Sequence, residues 1–179
     1  FLERHNHGPH HLTFKVDDIW SELSRLEALG YKAVNVNLEN EVWREAFLHP
    51  KDAHGTVVQI TQPGVNPPMA ELLADARAGR PQAMKKWWPE PPYQSPRVAV
   101  LERVVLNTPT PTETQDFFID VLGGSPDDDC DDGCQVVWPG GARMALEHHP
   151  DKEPGIDRFE LSGMETGDMI VGGTRFRFA

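Results

Sequence analysis

The sequence predicts an α+β fold: tandem βαβββ modules forming curved, cup-shaped mixed sheets with helices on their convex faces. Three observations predict it. Short strands with alternating apolar residues are interleaved with amphipathic helices. The order β-α-β-β-β occupies residues 11–62 and starts again after Val98. One layout, a polar residue followed by apolar alternation, opens strands in three places: HHLTFKV at His11, ERVVLNT at Arg103 and DRFELSG at Arg158. A glycine-led strand closes the unit in two, GTVVQI at Gln59 and GTRFRF at Arg177.

In chain order, residues 10–16 form the first strand, with Leu12, Phe14 and Val16 on one face and His11, Thr13 and Lys15 on the other. Asp17 and Asp18 supply an N-cap for a helix whose apolar stripe is Trp20, Leu23, Leu26 and Leu29, and Gly30 stops it. Strands follow at Tyr31–Val36, Trp43–Leu48 and Thr56–Thr61, the last two joined by the turn HPKDAHG. After Val98 come a strand at Leu101–Asn107, a helix at Thr112–Leu122 stopped by Gly123-Gly124, and a hairpin of Gln135–Trp138 and Ala142–Glu147 around Pro139-Gly140-Gly141. Strands at Gly155–Leu161 and Gly173–Phe178 end the chain.

Between the two runs, residues 63–97 are dense in proline, which excludes a regular sheet. A short helix at Met69–Ala78 and an apolar anchor at Trp87 and Trp88 fit a connector. The expected organisation is therefore residues 1–62 as the C-terminal half of one module pair, 63–97 as a linker, and 98–179 as a second, degenerate module. The chain opens FLERHNHG without Met, so residue 1 reads as an internal position of a longer polypeptide.

The net charge of −11 argues against nucleic acid as a partner, which needs a basic footprint. No apolar run suits a membrane span. The only cysteines, Cys130 and Cys134, make a disulfide framework implausible and a reducing cytoplasm the default location. The expected partner is a small molecule.

GPHHLTFKVDDI followed by FLHPKDAHGTVVQITQ, with FLER ahead of them, resembles the second half of a methylmalonyl-CoA epimerase, a member of the vicinal oxygen chelate superfamily with the glyoxalases and extradiol dioxygenases. The likeness covers residues 1–62; from Val98 it is to the wider superfamily only. It implies a divalent metal held by one ligand from the first strand and one from the last strand of each half: here His11 and Gln59, where the epimerases usually carry Glu. It also implies a substrate such as an acyl-CoA or a dicarbonyl, and an isomerase or lyase reaction through a metal-stabilised enediolate. The catalytic base and the other ligands would lie before Phe1, or a homodimer would supply the missing half. A dioxygenase using Fe(II) and a metal-free binding module remain open as alternatives.

Imidazole and oxygen ligands suit Zn, Co, Ni, Mn or Fe without choosing among them. The plain alternative for His11 and Gln59 is ordinary hydrogen bonding. His10 and His49 read as structural, and His5 and His7 as a solvated loop, with a His-rich metal tract of His5, His7, His10 and His11 the sharper option. In the second run the matching slots hold Arg103, Glu147, Arg158 and Arg177. Guanidinium groups do not ligate metals, so these residues either grip an anion or neutralise one another around Glu147. His148 and His149 beside Glu147 suggest a metal triad or an exposed turn. The acidic stretch Asp127–Cys134 is loosely similar to a calcium loop but lacks its register and closing Glu.

Overall fold

The computed structural model describes residues 8–64, 99–127, 134–163 and 166–178. His5, His7, the Met69–Ala78 helix, Trp87, Trp88, Cys130 and most of the acidic stretch lie outside the described residues, as does nearly all of the 63–97 connector.

The first unit follows the expected order. Strand β1 (His11–Lys15) leads to helix α1 (Ile19–Ala28), then β2 (Val34–Asn37), β3 (Trp43–Leu48) and β4 (Val57–Pro63). Asp18 caps α1: its Oδ1 accepts from the Trp20 and Ser21 backbone N–H groups at 3.0 and 3.3 Å. A cap of this kind contributes about 1 kcal/mol. Gly30, at φ 89°, releases the chain from the helix. The sheet order is β1-β4-β3-β2; α1 returns the chain from β1 to β2, and the antiparallel pairs β2–β3 and β3–β4 leave β4 parallel to β1. Ile19 and Leu26 on α1 pack with Val58, Ile60 and Leu48 on the covered face of this sheet.

The second unit repeats the scheme. Strand β5 (Val100–Asn107) is followed by α2 (Pro111–Asp116), which widens into a π-helical turn over Phe117–Val121, then β6 (Ser125–Pro126), β7 (Gln135–Val137) and β8 (Arg143–Glu147). Its order is again first-last-third-second, β5-β8-β7-β6. A third, abridged unit follows: β9 (Gly155–Ser162), β10 (Gly167–Val171) and β11 (Thr174–Phe178), with β11 parallel to β9 and β10 antiparallel to β11. Here the helix and one strand of the repeat are missing. Strands β9 and β5 pair antiparallel, so units two and three share one seven-stranded sheet, β10-β11-β9-β5-β8-β7-β6.

Two strands were not anticipated. β6 is two residues long and includes Pro126, too little for any periodicity. β10 joins β11 through Gly172 and Gly173, both at positive φ, the signature of a tight hairpin. The predicted helix over Thr112–Leu122 is real in extent but changes pitch at Phe117, which turns Phe117, Phe118 and Val121 inward together.

The core is shared. Phe14 of β1 packs against Phe118 and Trp138, with ring centroids at 6.3 and 5.5 Å, and Tyr31 packs against Phe117 at 5.5 Å. Arg25 of α1 donates to the Val121 carbonyl. Fully burying a side chain such as Phe118 stabilises by roughly 1.5–3 kcal/mol.

The expectation of curved, cup-shaped sheets is corrected. Neither sheet closes or curls strongly; each is an open strand order with two free edges. The physical reason is strand supply. The first sheet has four strands, and the second gains only three from its abridged third unit, whereas closure needs tilt and stagger carried around a complete set of strands. The helices, expected outside the convex faces, lend their apolar sides to the common core.

Candidate functional site

In the first sheet the strand register decides which side chains share a face. Thr13 is level with Gln59 across the β1–β4 pair, and His11 stands two residues before Thr13. His11 and Gln59 therefore lie on the same face, the one turned away from α1. Across β4, Phe47 is level with Gln59 and Glu45 with Thr61, which adds Glu45 to that face. Gln59 is buried and fully engaged: its Oε1 accepts from Thr13 Oγ1 at 2.7 Å and its Nε2 donates to Glu45 Oε2 at 2.6 Å. Trp43 Nε1 donates to the same Glu45 oxygen at 3.0 Å. His11 is exposed on the edge strand, its ring edge-on to Phe47 and its Nδ1 3.1 Å from His10 Nδ1. Imidazole and carboxamide oxygen are donor types that suit a borderline divalent ion, and here they share one face of the sheet with a carboxylate. Glu45 escaped the sequence reading. The signal for it was the β3–β4 hairpin, whose alternation sets Trp43, Glu45 and Phe47 on the Gln59 side.

The arginines of the second sheet are arranged otherwise. Arg158, 4% exposed, grips Glu147 with two nitrogens at 2.5 and 2.8 Å, Asp157 at 3.0 Å and Glu160 at 2.8 Å. Arg103 donates to Glu160 at 2.5 Å. The structure thus joins Arg103 to Arg158 through Glu160, which the sequence reading passed over, and Arg158 to Glu147 directly. Arg177 stands apart, paired with exposed Asp168 at 3.1 Å. A register shift between Val105 and Leu106 leaves Asp157 as the extra residue of β9, its carboxylate against Arg158.

The register also tests the equivalence of the slots. Arg177 is level with Glu160, and Arg158 stands two residues before Glu160, matching the relation of Gln59, Thr13 and His11. Glu147 is level with Asn107, which puts Val105 rather than Arg103 in the His11-like place. Val105 and Arg158 then face each other across the β5–β9 pair, as two equivalent positions should.

Electrostatics follow the contacts. The Arg158 fork, with help from His149, pulls Glu147 down to about 2. Burial pushes Asp157 and Glu160 up, but ion pairs with Lys152 and Arg158, and with Arg103 and Arg158, outweigh it and both end below the usual carboxylate range. Burial lowers His54.

Glu147, His149 and Asp157 form a group whose ligand atoms lie within 4.8 Å of one another, and these three are able to hold a divalent ion. Lys152 at 2.7 Å from Asp157 and the Arg158 fork on both carboxylates already supply positive charge there, so an ion has to displace them. Two further histidines serve the backbone. His49 Nδ1 accepts from the Lys51 N–H at 3.2 Å inside its turn, and His148 Nδ1 lies 3.1 Å from the Thr108 carbonyl oxygen.

No family model and no curated protein matches the sequence. Solved structures do match. A hypothetical protein from Staphylococcus aureus superposes with a TM-score of 0.64 at 10% identity, over 94% of this chain and 65% of its own. The 2,3-dioxygenase LapB from Pseudomonas sp. KL28 gives 0.52 at 12% identity, over 94% and 70%. The 2,2′,3-trihydroxybiphenyl 1,2-dioxygenase from Sphingomonas wittichii strain RW1 gives 0.50 at 14%, over 87% and 53%. The chain spans 53–70% of the length of these structures. At 10–14% identity these likenesses show a shared fold. The likeness does not single out the epimerases. Among the described residues no helix is long and apolar enough to cross a membrane.

Proposed function

We propose that the chain carries one side of a divalent-metal site in an isomerase or lyase that moves a proton beside a carbonyl of a small molecule with two neighbouring oxygens. The observation that supports this is the β1–β4 register, which sets His11, Gln59 and Glu45 on one face. His11, through the nitrogen not facing His10, and Gln59, through its amide oxygen, are the residues that would hold the ion. A bound ion supplies Lewis acidity to the substrate oxygens.

Glu45 is the group that takes the proton. Trp43 and Gln59 both donate to its Oε2, which leaves Oε1 to receive it. Thr13 fixes the rotation of the Gln59 amide. The remaining ligands come from another βαβββ unit docked on the free edge of β1, as β9 docks on β5. The substrate is an acyl-CoA or a dicarbonyl. A ring-cleaving dioxygenase is the second reading, favoured by the superposition on solved dioxygenases and disfavoured by a carboxamide at position 59.

The test is calorimetric titration of the chain with Mn²⁺, followed by solvent proton exchange into methylmalonyl-CoA. Saturable binding lost in both His11→Ala and Gln59→Ala, and kept in His149→Ala, supports the site. Binding that survives both substitutions refutes it. Proton exchange slowed by Glu45→Gln supports the reaction; ring opening of a catechol in its place transfers the site to the second reading.

A further inference from the structure

The charged face of the second sheet holds one more cation than its carboxylates engage. Arg158 is bound to Glu147, Asp157 and Glu160; Arg103 to Glu160; Lys152 to Asp157; Arg177 to Asp168. Arg175 makes no hydrogen bond or ion pair among the described residues. It is level with Arg158 on one side and with Ile170, 69% exposed, on the other. Its charge is felt by both Asp157 and Asp168, which places it among these acids without contact.

Arg177 lies two residues along the same strand, on the same face, some 6–7 Å away along the backbone. Its partner Asp168 is 53% exposed and makes a second, weaker approach at 3.5 Å. An exposed pair of this kind contributes little and is readily exchanged. One face of β11 therefore presents two guanidinium forks, one unengaged and one loosely held, beside an apolar shoulder at Ile170. In a chain of net charge −11, two half-buried guanidinium groups on one face make a local positive patch.

We propose that Arg175 and Arg177 form an oxyanion-binding site on β11 that takes the phosphate or carboxylate group of a small molecule. The fork geometry of guanidinium matches two oxygens of one such group. Arg158 is excluded from ligation because three carboxylates already hold it; it fixes β9 beside the site. This inference is independent of the metal site proposed for the first sheet.

The experiment is calorimetric titration of the intact chain at low ionic strength, with EDTA present, using inorganic pyrophosphate in one arm and succinate in the other. Saturable binding in either arm is expected, and the stronger arm names the source of the oxyanion. Arg175→Gln and Arg177→Gln should each weaken it by at least about tenfold. Arg175→Lys keeps the charge and guards against a folding defect; it too should weaken binding, because ammonium lacks the fork. Lys51→Gln, on the first unit, should change nothing. No saturable binding in either arm, or unchanged binding in Arg175→Gln or in a folded Arg175→Lys, overturns the proposal.

Discussion

Replacing Arg158 by Met is the most informative single change to the second sheet. The side chain is 5% exposed and supplies the positive charge for Glu147, Asp157 and Glu160. Methionine fills similar volume and leaves those carboxylates without their common partner. Breaking a buried pair by removing one member costs about 3–5 kcal/mol. Two features pull the figure to the lower end. Glu147 retains 29% exposure, and Lys152 and Arg103 stay on Asp157 and Glu160. The expected loss is about 3 kcal/mol at pH 7, a large part of the roughly 5–15 kcal/mol a domain has. The sign with pH is fixed. Without Arg158, burial raises the carboxylates, so lowering the pH protonates them and relieves the penalty. Urea unfolding at pH 7 and pH 4.5 measures both. A cost below about 1 kcal/mol at pH 7, or one equal at the two pH values, would refute the reasoning.

In the unaltered chain the sign is opposite. The Glu147 contribution is fully present above its ordinary 4.5 and drains as the pH falls toward 2; with 29% of the side chain exposed, screening limits it to about 1–2 kcal/mol, readable as an acid unfolding limb absent from Glu147→Gln. Gln59→Glu sets a second carboxylate where Gln59 Nε2 now donates to Glu45, so the metal-free protein should lose about 1–2 kcal/mol at pH 7 in thermal unfolding. Adding Mn²⁺ should recover that loss if the first-sheet site is real, because the ion gains a charged ligand. Gly55→Ala places a Cβ 2.4 Å from the Pro154 Cβ at a φ of +95°, and should cost more than about 1 kcal/mol in chemical denaturation.

Much of the fold was legible because it rests on local pattern. The alternation of β1, the Asp18 cap and the hairpin turns are decided by neighbours in sequence, and the recurrence of the unit exposed the repeated architecture. What stayed hidden depends on register. Glu45 meets Gln59 only because β3 and β4 pair at a particular offset. Val105 displaces Arg103 from the His11-like place through a two-residue difference that periodicity does not record, since both offsets keep the same face. Asp157 reaches Arg158 through a strand irregularity, and Glu160 reads in sequence as one more alternating polar residue. The lack of strong curl was equally out of reach, because it reflects a third unit that loses a helix and a strand after Ser162.

The contact of Phe14 with Phe118 and Trp138 has a consequence for biosynthesis. These partners leave the ribosome long after the first βαβββ segment is complete. During that interval Phe14 lacks its two aromatic partners and α1 alone covers that face of the segment. The folding yield of this polypeptide should therefore depend on translation speed between the Pro-rich stretch and the π-helical turn.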